Sequence, residues 1–443
     1  MVKLIEKAAN LLRKQSVELF DIFLVESRGT AVEVKKGSVE KIRRSQKVGL
    51  AIRAVVEGRL GFAYTNDVSE EGIRIAIECA KENALYTSQD EYTFSMPQQA
   101  PDFDFPLADS AYNEIPITRK IELAAEVEER VLNYDPRVKR VRKASYADAL
   151  STVFYYNSND HSFTYTTTNF SLSVLAAAEE NGDSQIGWDY QSKRFFSELN
   201  PVEVAVNAAD GAVELLGARP ITSMKVPVIF KNAVFAELIE TLSAGFLGTN
   251  VLRKKSLFAE KLGHEIASSA LSIYDDPFQR EGTGSAPFDD EGVATRKKAV
   301  VERGVLKNFL TDLYSAKKLG LPATGNGMRS SVGALPTSGI TNLVVERGAL
   351  GLEELVKTPE KVLVVTDAMG IHTINPISGE FSIGISGVFF KDGNRVTPVT
   401  GMTVAGNVNE LLKGITQVGA DLKWLGNVCS PSVLIKELTV SGE

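Results

Sequence analysis

A chain of 443 residues, 44% hydrophobic and 24% charged, is long enough for several cored domains at roughly 150 residues each and too apolar for a disordered polymer. Its 56 acidic against 49 basic side chains leave a net charge of −7, which argues against direct nucleic-acid binding, because neutralising phosphates requires a basic excess. No apolar run reaches the roughly 18 residues of a membrane span, the N-terminus lacks an apolar signal core, and Cys79 and Cys429 make no disulfide framework; the expected compartment is the cytoplasm, with no membrane contact.

Leu4, Ile5, Ala8, Leu11 and Leu12 fall on one face of a helix over residues 3–14. An apolar run, Phe20 to Val25 within Glu18–Glu26, reads as a strand, and Thr30–Val34 as a second one. Val48–Tyr64 reads as a hairpin turning at Glu57-Gly58. Ser69 is a fitting N-cap for the next helix, with Glu70 and Glu71 at the positive end of its dipole. Cys79 lies inside that helix and reads as core packing.

Tyr86–Pro116 holds four prolines and scattered aromatics and reads as a linker laid across the surface. Helical periodicity returns over Thr118–Leu132. Four strands are expected next, at 138–146, 150–157, 162–178 and 183–196, long and alternating enough for an antiparallel sheet with one wet face. A helix over Val202–Leu216 starts after Pro201. Arg219-Pro220 is the preferred boundary, followed by a strand at Val226–Phe230, a helix from Ala233 to Phe246 and glycine-rich, strand-like sequence. The expected fold is α+β: a mixed N-terminal domain with an antiparallel sheet, then a C-terminal, antiparallel β-rich domain with few helices. The expected divisions are 1–85 and 117–219 as parts of the N-terminal domain, 86–116 as linker and 220–443 as the C-terminal domain.

The chain has only three histidines, which limits metal and general-base chemistry. His264-Glu265 begins an HExxH that ends in Ser268, so a zinc ligand is missing. His264 reads as a surface residue, His161 as an exposed turn residue after Asn159-Asp160, and His372 as part of a Gly/Pro-rich loop. No P-loop, dinucleotide fingerprint or nucleophile elbow is present. Asp275-Asp276 and Asp289-Asp290-Glu291 read as solvated turns or caps, and Cys429 as a loop residue before the last strand. The run Arg137-Val138-Lys139-Arg140-Val141-Arg142-Lys143 would put cations on both faces of a strand and so reads as an exposed ribbon.

Ala286–Val293, the hairpin Val300–Leu306 with Thr311–Leu313, Asn375–Gly387, Asn394–Pro398, Gly401–Asn407 and the hairpin Val48–Asp67 together resemble the TldD/PmbA family, also labelled modulators of DNA gyrase. The resemblance implies a metallopeptidase built from two related subunits. One subunit carries HExxxH, whose histidines hold zinc while its glutamate activates water. The other, PmbA/TldE-like subunit lacks that motif. Here the matching helix places Glu240 at the first histidine, Thr241 at the glutamate and Gly245 at the second histidine. One carboxylate does not hold a catalytic zinc.

The resemblance therefore implies the metal-free PmbA/TldE-like branch: no catalytic residue, metal ligand or cofactor in this chain, and zinc in a TldD-like partner. It further implies an unfolded peptide as substrate, and a homodimer as the alternative when the partner is absent. Gly379, Phe381, Ser382, Gly384 and Gly387 form the candidate peptide surface, where glycine permits close backbone approach and strand addition. Two other readings are an autonomous metallopeptidase with an atypical site drawn from Asp367, His372 and Glu380, and a regulator of DNA gyrase supported only by the basic run 137–143. Cys429 is assigned no metal role, because the sequence around it departs from the family pattern.

Overall fold

A computed structural model describes residues 1–15, 17 and 19–442. Glu18, the first residue of the expected strand Glu18–Glu26, and Glu443, the last of the expected C-terminal domain, lie outside the described residues.

The first half is built on one long antiparallel sheet. Helix α1 (Val2–Lys14) leads into β1 (Leu19–Lys35), β2 (Ser38–Val56), β3 (Arg59–Thr65) and α2 (Glu70–Ala84). After an irregular stretch come α3 (Ile117–Leu132), β4 (Val138–Asn157), β5 (Ser162–Glu180), β6 (Asp183–Lys193) and α4 (Pro201–Glu214). The strand order is β3-β2-β1-β4-β5-β6. The two expected strands at 20–25 and 30–34 are one 17-residue strand, and those at 138–146 and 150–157 are one 20-residue strand. The polar residues between them remain paired across the sheet, from Glu26–Thr152 to Thr30–Asp148, so side-chain polarity did not mark a break. One face carries two cores. Ile22, Leu24 and Ile52 pack under α1 and α2, and Val32, Val34 and Leu172 pack under α3 and α4.

In this half the structure departs from the sequence expectations at three places. The basic run lies at the start of β4, where bulges at Val138/Arg140 and Val141/Lys143 break strict alternation. Val138, Val141 and Ala144 all point inward while Lys139, Arg140, Arg142 and Lys143 are exposed, so the cations share the solvent side of a core strand. Cys79 is exposed, not core. The stretch 86–116 does not lie wholly on the surface: Phe94, Ser95, Phe105 and Tyr112 are buried.

The second half begins with β7 (Met224–Phe230), α5 (Asn232–Ser243) and α6 (Gly248–Leu252). It continues through β8 (Ile273–Asp275), β9 (Lys298–Glu302), β10 (Val305–Leu306), α7 (Leu313–Leu319), β11 (Gly327–Met328), β12 (Thr337–Ser338), β13 (Leu343–Val345) and α8 (Leu352–Lys357). It ends with β14 (Lys361–Met369), β15 (Glu380–Lys391), β16 (Asn394–Asn407), α9 (Val408–Lys413), β17 (Ile415–Val418), β18 (Lys423–Leu425), β19 (Val428–Ser430) and β20 (Val433–Ser441). One sheet runs β16-β15-β14-β7-β20-β17 and closes on itself where β16 also pairs β20; another runs β10-β9-β8-β13-β19-β18. The largest core lies between them and includes Phe235, Ile239 and Leu242 of α5. With 41% strand and 23% helix, mostly antiparallel, the chain is α+β with a β-rich C-terminal half. Among the described residues no helix is long and apolar enough to cross a membrane.

Candidate functional site

Helix α5 carries the candidate motif. Val234, Phe235, Ala236, Leu238, Ile239 and Leu242 are buried, so little more than one stripe of the helix remains outward. Glu240 is exposed on that stripe and Thr241 is half-buried. The α-helix ends at Ser243, short of the expected Phe246, because its last turn tightens to a 3₁₀ turn over Ala244–Phe246. Side chains satisfy the terminal carbonyls: Asn250 Nδ2 donates to Ala244 O at 2.8 Å and Ser256 Oγ to Gly245 O at 2.6 Å.

Gly245 is buried in this turn. A Cβ there would lie 2.8 Å from Cδ2 of Phe258. The Phe258 ring stacks on Phe246 at 5.2 Å between centroids, 10° from parallel. An aromatic ring therefore fills the space that a side chain at position 245 would need. An exposed carboxylate, a threonine and a glycine under a phenyl ring do not fit the tetrahedral N/O donor set of zinc.

The outward stripe of α5 faces other titratable groups. Glu237 is pushed above the usual carboxylate range by burial, then by the negative charges of Asp367 and Glu240, with His372 pulling the other way. Asp367 is half-buried on β14, His372 is exposed in the 3₁₀ turn Ile371–Thr373, and Glu380 is exposed at the start of β15. Among the described residues no three His, Cys, Asp or Glu side chains converge as a metal site.

The glycine-rich strand follows directly. β15 pairs with β16 from Glu380 onward and with β14 from Gly384 onward. Strand addition would find both edges taken over Gly384–Gly387. The edge left free by β14 spans little more than Phe381–Ile383, beside the turn at 371–373. Gly387 serves a bulge: a Cβ there would be 2.0 Å from Val364 O. Phe381, Gly379 and Gly387 are buried, Ser382 is exposed and Gly384 half-exposed. Met369, 69% exposed, lies against Gly384. The motif helix, the Asp367–His372 segment and Ser382–Gly384 thus form one continuous region.

A second cluster escaped the sequence reading. Asp289 and Glu291 are buried, Asp290 partly so, and Asp275 and Asp276 are buried as well; none of these is a solvated turn. Arg53 explains Glu291. From β2 its Nε donates to Asp21 Oδ1 and Oδ2 at 3.1 and 3.0 Å, while Nη1 donates to Glu291 Oε1 at 2.7 Å. Leu313 N donates to Glu291 Oε2 at 2.7 Å. Burial pushes Asp289 well above its ordinary range and raises Glu291 against the pull of Arg53. Asp290 is pushed up to about 6, again by burial, with the Arg329 amide opposing. Asp275 is held by Lys298 Nζ at 2.6 Å.

His161 belongs to the same junction and is buried, not exposed. Its Nε2 lies 2.9 Å from Gly292 O, and its ring packs at 5.2 Å from Phe288. Gly292 has φ 81° and would drive a Cβ to 2.5 Å from Ser95 Oγ and 2.8 Å from Tyr155, so only glycine lets the halves approach this closely. Arg53, Glu291, Asp312, Phe94 and Tyr314 line a cavity of about 260 Å³ at this junction. The sequence signal available was three consecutive acids beside Gly292; their distant partners, Arg53 and Arg329, left none. His264 is exposed. Cys429 is in strand β19 and buried, which pushes its thiol up to about 12.

Three family models match in order along the chain: PmbA/TldA metallopeptidase domain 1 over residues 20–84, the central domain over 111–216 and the C-terminal domain over 223–442. The metalloprotease PmbA of Escherichia coli O157:H7 is 31% identical over 96% of this chain and 92% of its own length. The crystal structure of a proposed modulator of a DNA gyrase from Thermotoga maritima superposes with a TM-score of 0.91 at 29% identity, covering 99% of each chain. TldE from Thermococcus kodakarensis shares the fold, with a TM-score of 0.91 at 22% identity over 99% of this chain and all of its own. The matches to all three domain models and to PmbA over nearly its whole length mean that this chain belongs to the PmbA/TldD metallopeptidase family.

Proposed function

We propose that this chain is the non-catalytic, metal-free subunit of a two-subunit protease of this family, paired in the cytoplasm with an HExxxH-bearing, TldD-like subunit that holds the zinc. The observation that carries the reading is Gly245 beneath Phe258: where the resemblance calls for a second metal histidine, a Cβ would already lie 2.8 Å from a packed ring. The region from Glu240 through Asp367 and His372 to Ser382 and Gly384 is the surface offered to an unfolded peptide or to the partner. Exposed Met369 and Ile377 add apolar contact there. In this role the chain shapes the cleft and grips backbone; the partner supplies the water-activating metal.

Reconstitution tests this. The chain, its HExxxH-bearing relative from the same organism, and the two together are purified, and each preparation is assayed for zinc, mass and cleavage of an unfolded peptide. No zinc and no cleavage in the chain alone, and lower cleavage by the relative alone than by the mixed assembly, are the expected results. Cleavage and stoichiometric zinc in the chain alone would overturn the reading, as would a relative equally active without this chain.

A further inference from the structure

Strand β2 is paired on both sides for only part of its length. On one side it pairs with β1 from Leu19–Val55 to Lys35–Ser38. On the other, β3 covers only Leu50–Val56, and the Val332 side chain reaches Gly49. Among the described residues Ser38–Lys47 has no strand on its outer side, and all ten of its residues are exposed. At about 3.4 Å per residue this leaves about 34 Å of open backbone edge.

The edge is rigid. The β1–β2 turn places Lys36 and Gly37 at φ 53° and 69°. Both amides donate to the buried Glu128 carboxylate of α3, at 2.7 and 2.8 Å. A fixed edge loses little entropy on pairing with another strand.

The edge is also basic in an acidic protein. Lys41, Arg43, Arg44 and Lys47 form no ion pair among the described residues; the neighbouring Lys35 pairs with Glu40. Lysines often protect an edge against unwanted pairing. Here, however, Val39 and Ile42 stand 42% and 45% exposed among the cations, and the bulge between Glu33 and Val34 sets both on the Val32–Val34 face, offering two apolar seats there. On the Ile42 face, Arg28, Arg44, Gln46 and Asn113 line an open groove of about 530 Å³ that can receive alternate side chains of a docked strand. A second copy of this edge would set cation against cation, which disfavours self-pairing.

We propose that the Ser38–Lys47 edge of β2 takes an extended acidic segment of another polypeptide by strand addition. Backbone hydrogen bonds supply the register and the four cations select the charge. This site is remote in sequence from α5 and β15, and it stands whether or not the chain has a catalytic partner.

The test uses the full chain and a fluorescein-labelled ten-residue peptide of alternating threonine and glutamate, read by anisotropy. Binding is expected at about 50 mM salt and should weaken at about 300 mM. Arg43→Glu/Arg44→Glu, and separately Lys41→Glu/Lys47→Glu, should each weaken it about tenfold or more, with unchanged circular dichroism; Lys436→Glu, an exposed charge far along the chain, should leave it unchanged. The lysine-for-glutamate peptide should not bind. Two further peptides, each N-methylated on one set of alternate amides, separate strand pairing from charge attraction: one of them must lose binding. The proposal is overturned if the acidic peptide does not bind, if both methylated peptides bind as well as the parent, or if the charge reversals have no effect. A single-stranded oligodeoxynucleotide that binds more tightly through the same four cations would reassign the edge to nucleic acid, and self-association lost on charge reversal would reassign it to a second copy.

Discussion

Replacing Gly245 with alanine probes the packing on which the proposed metal-free reading of α5 rests. The new Cβ would sit 2.8 and 3.0 Å from Cδ2 and Cε2 of Phe258, whereas carbon atoms rest at about 3.5–4.0 Å. The ring must therefore retreat by about 0.7 Å. It is 1% exposed and stacked on Phe246, so the retreat pushes into a filled core. Overpacking of this kind costs about 1–3 kcal/mol. Removing a glycine from a helical turn returns about 0.4–1 kcal/mol through the unfolded state, leaving a net loss of about 1–2 kcal/mol. Urea unfolding followed through Trp424 measures it, since β18 packs against α5 and a Trp188→Phe background removes the other indole. Gly245→Ala in a Phe258→Leu background should cost less than in the parent, with a coupling of about 1 kcal/mol or more between the two sites. A Gly245→Ala protein as stable as its parent, or two substitutions that simply add, would refute the claim that Phe258 occupies the vacated position.

Three further outcomes test the junction and the thiols. Arg53→Met leaves Glu291 buried without its cation and Asp21 with only Arg329, at 3.7 Å, and should cost about 3–5 kcal/mol in denaturant unfolding; a loss under about 1 kcal/mol would show that this network does not hold the halves together. Asp290, at about 6 in the folded protein against about 3.9 unfolded, binds its proton more tightly when folded. Stability should therefore fall as pH rises from about 4 to about 6, by about 2–3 kcal/mol for this group, and Asp290→Asn should remove that slope in Tm-versus-pH scans. Ellman's reagent should titrate Cys79 rapidly in the native protein, while Cys429 reacts only on unfolding, since burial keeps its thiol protonated.

How much was legible depended on whether the determining contacts were local. Helix α2 follows from its own residues: Ser69 Oγ accepts from Gly72 N at 3.1 Å, within a few positions of the cap. The Glu57-Gly58 turn and the helix after Pro201 are local in the same sense. The length of β1 and β4 was not legible, because polar residues such as Thr30 and Asp148 are held in register by each other across the sheet. The burial of the acids was hidden for the same reason. Glu291 meets Arg53, 238 positions away, and nothing beside either residue in the sequence announces the partner. His161 looked exposed because Asn159-Asp160 is a turn; the turn is there, with Asp160 at φ 60°, but a remote segment at Phe288–Gly292 closes over it.

The candidate site divides along the same line. Composition and motif spacing could say that no zinc-binding pattern survives in the sequence, while the likeness to a family supplied the helix on which to look. What neither supplied is why a metal motif can be absent from α5 without loss of the helix. Six of its twelve residues are buried in the central core of the C-terminal half, so its place is fixed by hydrophobic burial that does not involve Glu240 or Thr241. Gly245 lies just beyond the last α-helical residue, where Asn250 and Ser256 satisfy the carbonyls and Phe258 fills the volume. Structure and chemistry thus occupy different faces of one helix. The outward stripe holds Glu237 within the field of Glu240, Asp367 and His372, on the side of the helix away from the buried residues that fix its place.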